Sequence, residues 1–431
     1  MLPLVLVLMA MVGAQADGAP ALACRTLVPA YRATVYASLG LTEGLFEVTL
    51  ALPEGHAPVD LVGQVIGGGG GVVSERSLAG TSAGTYRLDW ALADLQPGDI
   101  TFRAEARLGG QVIASASTVV HVAAPTQREV VLDRAGVLCI NGQRVFPIGI
   151  ETSDGGPLDR LATYGFGLAV LPLDKPTQAA ELASDGRVVA ASAPPEDDAA
   201  LAGLAALPGL GLWQVAPDGA SAYERLAAAD PYHPVLVTTE EAPSAGDVVM
   251  LRVDLGPGAD AGDRVRRFYE ADGYRRPVWA SVAVRKDTTV GAARVGAFSA
   301  ALGGACGVVL DPRDDQSPEE LGVRLEQLLR ELAGCAPVLV GDLSDERAAC
   351  VDSRVRVTTR LVRFDRYVIA LNTSGEPLQA TFSGLRAGEV TDLADGHTVL
   401  AAADGTFTVP IGPQGVVLLS VGWPESEGPA R

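Results

Sequence analysis

The sequence predicts a multidomain α/β plus all-β protein, with a (β/α)8 TIM-like barrel between an N-terminal Ig-like β-sandwich and a C-terminal β-sandwich. Three observations predict it. Residues 25–126 carry short alternating strand patterns at close spacing. Residues 133–343 change to almost wholly apolar strands that alternate with helix patterns, and residues 350–423 return to strands. The 431-residue length suits two to three domains.

Residues 2–13, LPLVLVLMAMVG, form an apolar run too short to span a bilayer, and Ala14-Gln15-Ala16 follows as a small-x-small cleavage pattern. We read residues 1–16 as a secretory signal peptide cut before Asp17, placing the mature chain outside the cytoplasm. Cys24, at the end of ALAC, offers a lipid anchor as the lesser alternative. In the first module the runs LFEVTLAL, VDLVGQVI, TYRLDWAL and ITFRAEARL read as sandwich strands. The glycine run IGGGGGVV at 66–73 lacks the Lys-Ser/Thr of a phosphate loop and reads as a hairpin tip.

The middle segment supplies eight strand candidates, at 145–150, 166–173, 187–192, 210–216, 234–239, 247–253, 276–284 and 305–310. Helix patterns fall at 197–206, 221–229, 261–273, 291–303 and 317–333, several opening on Ser or Asp caps. Strands apolar on both faces belong to a covered parallel sheet, and eight strand–helix units close naturally as a barrel. A doubly wound sheet is the alternative, although no GxGxxG follows the first strand.

Composition excludes several functions. Acids outnumber bases by 52 to 33, for a net charge of -19, which disfavours nucleic acid and anionic membrane surfaces as partners. No CxxC spacing occurs and there are four histidines, so neither a structural zinc nor another cofactor is expected. Cys335 and Cys350 flank a short segment and could pair in an oxidising compartment. The nucleophile-elbow and HExxH patterns of esterases and zinc proteases are both absent.

Several stretches resemble clan A glycoside hydrolases. DRAGVLCINGQRVFPIGIE at 133–151 is similar to their hairpin entry into strand one, and LATYGFGLAVLPLD to their passage into strand two. AADPYHPVLV resembles the approach to strand five, and YVIALNTSGEP with VPIGPQGVVLLSV the small closing sandwich. The resemblance implies a carbohydrate or polysaccharide partner and no cofactor. In that family strand four commonly ends in Gly-Trp…Asp-Glu-Pro, with the Glu as general acid/base. Counting from Trp213 places Asp218 there, one methylene shorter.

A glycosidase needs a second carboxylate. Strand seven, RPVWASVAV, has none, and the nearest is Asp287, beyond two cations. Other acids fall at strand C-termini, where barrel enzymes keep their chemistry: Glu151, Asp174, Glu240, Asp254 and Asp311. Asp218, Asp287 and Glu151 are therefore the catalytic candidates, and Trp213, Asp254, Glu240 and Asp174 the substrate-binding candidates. Asp311, Asp314 and Asp315 read as a helix cap before Ser317, with calcium binding as the alternative. Two functions stay open: a glycan-acting protein with an incomplete catalytic pair, and a non-catalytic carbohydrate-binding or cell-surface scaffold with a structural barrel.

Overall fold

The computed structural model describes residues 19–92, 95–152, 163–172, 188–192, 194–207, 209–255 and 260–423. The expected leader at 1–16 lies outside the described residues. The chain divides into two compact units, Met1–Arg134 with Cys139–Gln143, and Ala135–Leu138 with Arg144–Arg431.

The first unit is a two-sheet β-sandwich. One sheet has the order β1-β3-β6, from Ala21–Val28, Glu43–Ala51 and Gly84–Ala91; the other has the order β2-β8-β7-β4-β5. Its strands are β2 (Thr34–Val35), β4 (Val59–Ile66), β5 (Val72–Thr81), β7 (Gly98–Leu108) and β8 (Gln111–Val122). Alternation places Phe46, Trp90 and Phe102 between the sheets, where Phe46 stacks on Phe102 at 4.2 Å and Trp90 meets both edge-on. Gly63 leaves room for that indole, because a Cβ there would lie 2.9 Å from the Trp90 ring. The glycine run closes the β4–β5 hairpin through the Gly67 N–H to Gly71 carbonyl bond. Short strands β9 (Val130–Leu132), β10 (Leu138–Ile140) and β11 (Gln143–Val145) then form a three-stranded sheet.

Eight parallel strands close into a barrel: β12 (Ile148–Glu151), β13 (Leu168–Pro172), β14 (Val188–Ser192), β15 (Leu210–Val215), β16 (Val235–Thr239), β17 (Val248–Asp254), β18 (Val278–Val284) and β19 (Val308–Pro312), with β19 pairing back onto β12. This settles the doubly wound alternative against an open sheet. The described helices are α1 (Asp198–Ala205), α2 (Ala220–Ala229), α3 (Ala261–Asp272), α4 (Val290–Leu302) and α5 (Pro318–Leu339). Asp197, Asp260 and Thr289 cap α1, α3 and α4, and Ser317 with Glu320 forms a capping box on α5. Helix α5 runs past the expected stop near Gly334 and contains Pro337. The proline falls in the last turn, where Cys335, Val338 and Leu339 are buried and hold the helix to the core.

Strand parity sorts the barrel. Ile148, Ile150, Leu251, Val253, Ala280, Val282 and Leu310 join one hydrophobic cluster with Phe298 and Leu328 of the helices, so their neighbours in sequence face the lumen. The lower lumen is filled by apolar residues such as Leu212, Leu236, Met250, Trp279 and Val309, all buried. Gly307 makes space for Trp279, since a Cβ there would stand 3.1 Å from the indole. In β15 a bulge shifts the pairing, and Gly211 sits at it because a Cβ would lie 1.9 Å from Val188.

The C-terminal strands make a second pair of sheets within the same unit. One has the order β20-β22-β23-β28-β25-β26 and the other β21-β24-β27. The strands are β20 (Asp342–Leu343), β21 (Ala349–Cys350), β22 (Val355–Val362), β23 (Asp365–Asn372), β24 (Leu378–Ser383), β25 (Glu389–Asp392), β26 (Thr398–Leu400), β27 (Phe407–Ile411) and β28 (Val416–Val421). In β23, Val368 and Ala370 fill the core between the sheets, whereas Ile369 and Leu371 join the cluster of the barrel helices. Cys335 and Cys350 are both free thiols, which corrects the possible pairing. Cys335 is buried in the helix core and Cys350 packs against the core of the sandwich, in a different hydrophobic cluster. Asn372 is fully buried, and its amide donates to the Glu376 and Gly412 carbonyls.

Helices α3 and α4 approach closely at Gly262, where a Cβ would lie 2.5 Å from the Ser299 backbone oxygen. Neither backbone can yield without moving its helix. Gly262→Ala is expected to lower unfolding free energy by about 2–3 kcal/mol, whereas Gly203→Ala on α1, with open space around it, should raise it by about 0.5–1 kcal/mol. Urea denaturation of both variants checks the contrast.

Candidate functional site

Towards the C-terminal ends of the strands the lumen turns polar. By the same parity Gln214, Thr238, Arg252 and Ser281 face inward, as do Glu151 and Asp311 at the ends of β12 and β19. Gln214 donates to Thr238 Oγ1 at 2.7 Å, tying β15 to β16, and Ser281 Oγ donates to Glu151 Oε2 at 3.5 Å, tying β18 to β12. Asp254 lies one lumen position beyond Arg252, exposed. Asp311 is buried and pairs with Arg313.

The electrostatics follow from this placement. Burial pushes the Glu151 carboxyl above its ordinary range and Asp311 pushes it further, against the pull of Arg252, Arg313 and Ser281. Burial also raises Asp311; Arg313 and Arg252 oppose this, and Asp254 adds to it. The mouth therefore holds a carboxyl whose pKa burial raises, beside another paired with an arginine. Such a set can donate and accept hydrogen bonds to hydroxyl groups, and it can transfer a proton.

The predicted residues divide between this mouth and other places. Glu151 and Asp254 belong to it. Asp218 stands exposed in the turn after β15, and Gly219 is the N-cap of α2. Asp287 is exposed in the β18–α4 loop. Glu240 is exposed and reaches Arg264 of α3 at 3.4 Å. Asp174 lies outside the described residues.

Trp213 is corrected as a sugar platform. It is 0% exposed, packs among Leu201 and Leu226 on the helix side of β15, and donates its indole N–H to Asp230 Oδ2 at 2.8 Å. The same oxygen meets His233 Nδ1 at 2.8 Å, and Tyr232 N donates to Oδ1. Burial alone would raise the Asp230 pKa, but the His233, Trp213 and Tyr232 hydrogen bonds hold it low. The Asp-Pro-Tyr-His-Pro stretch is thus a buried brace at the start of β16. Asp311 faces the mouth, while Asp314 pairs with Arg285 and accepts from Lys286 N, so the three aspartates do not converge. Among the described residues no group of three or more His, Cys, Asp or Glu could hold a metal, and no helix is long and apolar enough to cross a membrane.

Arg252, Ser281, Gln214 and Thr238 escaped the reading of the sequence. Their signal was an isolated polar residue inside an apolar strand, and it becomes interpretable once the packed neighbours fix the face.

No family model matches the chain, and no curated protein matches it in sequence. Solved structures similar in fold are glycoside hydrolases. A putative glycoside hydrolase from Bacteroides vulgatus ATCC 8482 aligns at 12% identity over 88% of this chain and 98% of its own, with TM-score 0.47. A GH30 endoxylanase from Clostridium papyrosolvens C71 aligns at 13% identity over 65% and 97%, with TM-score 0.41. A GH2 β-galacturonidase from Eisenbergiella tayi aligns at 11% over 73% of each chain, with TM-score 0.38. These likenesses concern the path of the chain and carry nothing about its chemistry.

Because burial and Asp311 raise the Glu151 pKa, Glu151 contributes stability below the ordinary carboxylate pKa and loses it as pH rises through the raised value. Glu151→Gln should therefore melt higher than the parent at about pH 8 and no higher at about pH 4, below the ordinary range. Thermal unfolding at both pH values measures the difference; a loss of melting temperature at the higher pH would show that the ionised form is stabilising.

Proposed function

We propose that this chain binds a glycan at the C-terminal mouth of its barrel and does not hydrolyse it, in a compartment reached through the secretory signal at 1–16. The observation that carries this reading is the distribution of acids among the strands. Strands four and seven bear the catalytic pair in the hydrolases the sequence resembles, but here they turn Gln214, Ser281 and Ala283 towards the lumen. The acids at the mouth come instead from strands one, six and eight, as Glu151, Asp254 and Asp311. Amide, hydroxyl, guanidinium and carboxyl groups in one ring suit the alternating donors and acceptors of sugar hydroxyls. A single general acid supplies only about 10²–10⁴-fold of acceleration, so without a facing nucleophile or base hydrolysis stays slow.

One arrangement supports a second reading. Glu151 with its raised pKa could donate a proton beside Asp311, the pattern by which two carboxyls take acid and base roles. Under that reading the pair is a displaced catalytic dyad.

The test combines binding and turnover. Calorimetric titration with a panel of mono- and oligosaccharides is expected to show binding that Gln214→Ala weakens by about 3–10-fold, the effect of one or two neutral hydrogen bonds. Aryl glycosides and polysaccharides should give no turnover with folded protein. Turnover lost in Glu151→Gln and in Asp311→Asn would establish the dyad instead, and turnover lost only in Asp218→Asn would place the acid on the strand-four loop. Absence of binding to every sugar would leave a scaffold.

A further inference from the structure

The mouth contains one cation whose position needs a reason. Arg252 lies on β17 between Leu251 and Val253, which are 1% and 2% exposed and pack against the helices, so its side chain turns to the lumen. Its guanidinium is exposed and, among the described residues, makes no hydrogen bond and no ion pair. The neighbouring groups are engaged elsewhere. Asp311 is taken by Arg313, and Glu151 by the hydroxyl of Ser281, which pairs in register with Arg252 itself. Arg252 is felt by both carboxyls through space yet contacts neither.

An arginine whose only purpose was solubility would lie on the outer surface with its head in water. This one interrupts an apolar strand on its lumen side, near the C-terminal end, and carries five N–H donors. A planar fork of that kind matches a carboxylate in a two-point contact. Charge around it permits such a guest. Arg313 pairs with Asp311, burial and Asp311 oppose the charge on Glu151, and Asp254 is an exposed carboxylate on the same strand as Arg252.

Resting on the reading of the mouth as a glycan site, we propose that its ligand is an acidic sugar, a uronic acid residue whose carboxylate is held by Arg252. Ser281 and Arg252 occupy facing positions on neighbouring strands, so the carboxylate lies on β17 and the ring hydroxyls reach towards Gln214 and Thr238. A sulfate ester shares the negative charge and also presents two oxygens to the fork, so the sulfate arm of the titration separates it from the planar carboxylate that we assign.

The experiment is calorimetric titration of the full mature chain with glucuronate, galacturonate, their neutral parents glucose and galactose, and galactose 6-sulfate, at low and moderate salt. One uronate is expected to bind about tenfold or more tighter than its neutral parent, with the margin shrinking as salt rises. Arg252→Gln should abolish that margin, and Arg252→Lys should restore only part of it because the fork is lost. An Arg252 that merely offsets Glu151 and Asp311 would change pH-dependent melting in Arg252→Gln without touching the margin, and that result overturns the proposal. So does equal binding of acidic and neutral sugars, or tighter binding of the sulfate. Binding of no sugar at all overturns the glycan reading itself, and this proposal with it.

Discussion

The second unit depends on one apolar seam. Helices α4 and α5 pack their inner residues on the outward face of β18, β19 and β12, and the same cluster extends to Ile369 and Leu371 of β23. Strand β23 therefore has core on both faces, through Val368 and Ala370 on one side and the helices on the other. That explains why it is a near-continuous apolar run in an antiparallel sheet, where alternation is the rule. Arg356 reaches Asp260, the N-cap of α3, a charged contact at the edge of the seam. The barrel and its closing sandwich are one compact unit for this reason.

Closure of the barrel divides its residues into two populations with different tasks. Those pointing outward must meet helices and are almost all Val, Ile, Leu or Ala. Those pointing inward change along the strand, apolar at the N-terminal end and polar at the C-terminal end. The change is abrupt: Met250 and Arg252 are successive lumen positions on β17, and Trp279 and Ser281 on β18. A one-residue slip would turn Arg252 of β17 or Ser281 of β18 against the helices, so the register is strongly specified.

Much of this was legible in the sequence. Eight apolar runs bounded by Gly, Pro and Asp marked the barrel strands because burial on both faces leaves little ambiguity, and caps such as Ser317 and Asp197 marked helix starts. Strand-terminal acids were visible for the same reason, and Glu151, Asp254 and Asp311 stand at the mouth. Asp218 and Asp287 were drawn in by analogy with strands four and seven, but position in a loop does not fix where a side chain points. Arg252 was overlooked because one charge near a strand end reads as a solvated terminus until Leu251 and Val253 are known to be packed. Trp213 was open to both packing and sugar contact in the sequence, and it packs on the helix side of β15 beyond the bulge at Gly211.

The indole of Trp279, seated over Gly307, gives the barrel a floor. The lumen is therefore a packed core rather than a channel, and its polar groups gather at one end of the strands.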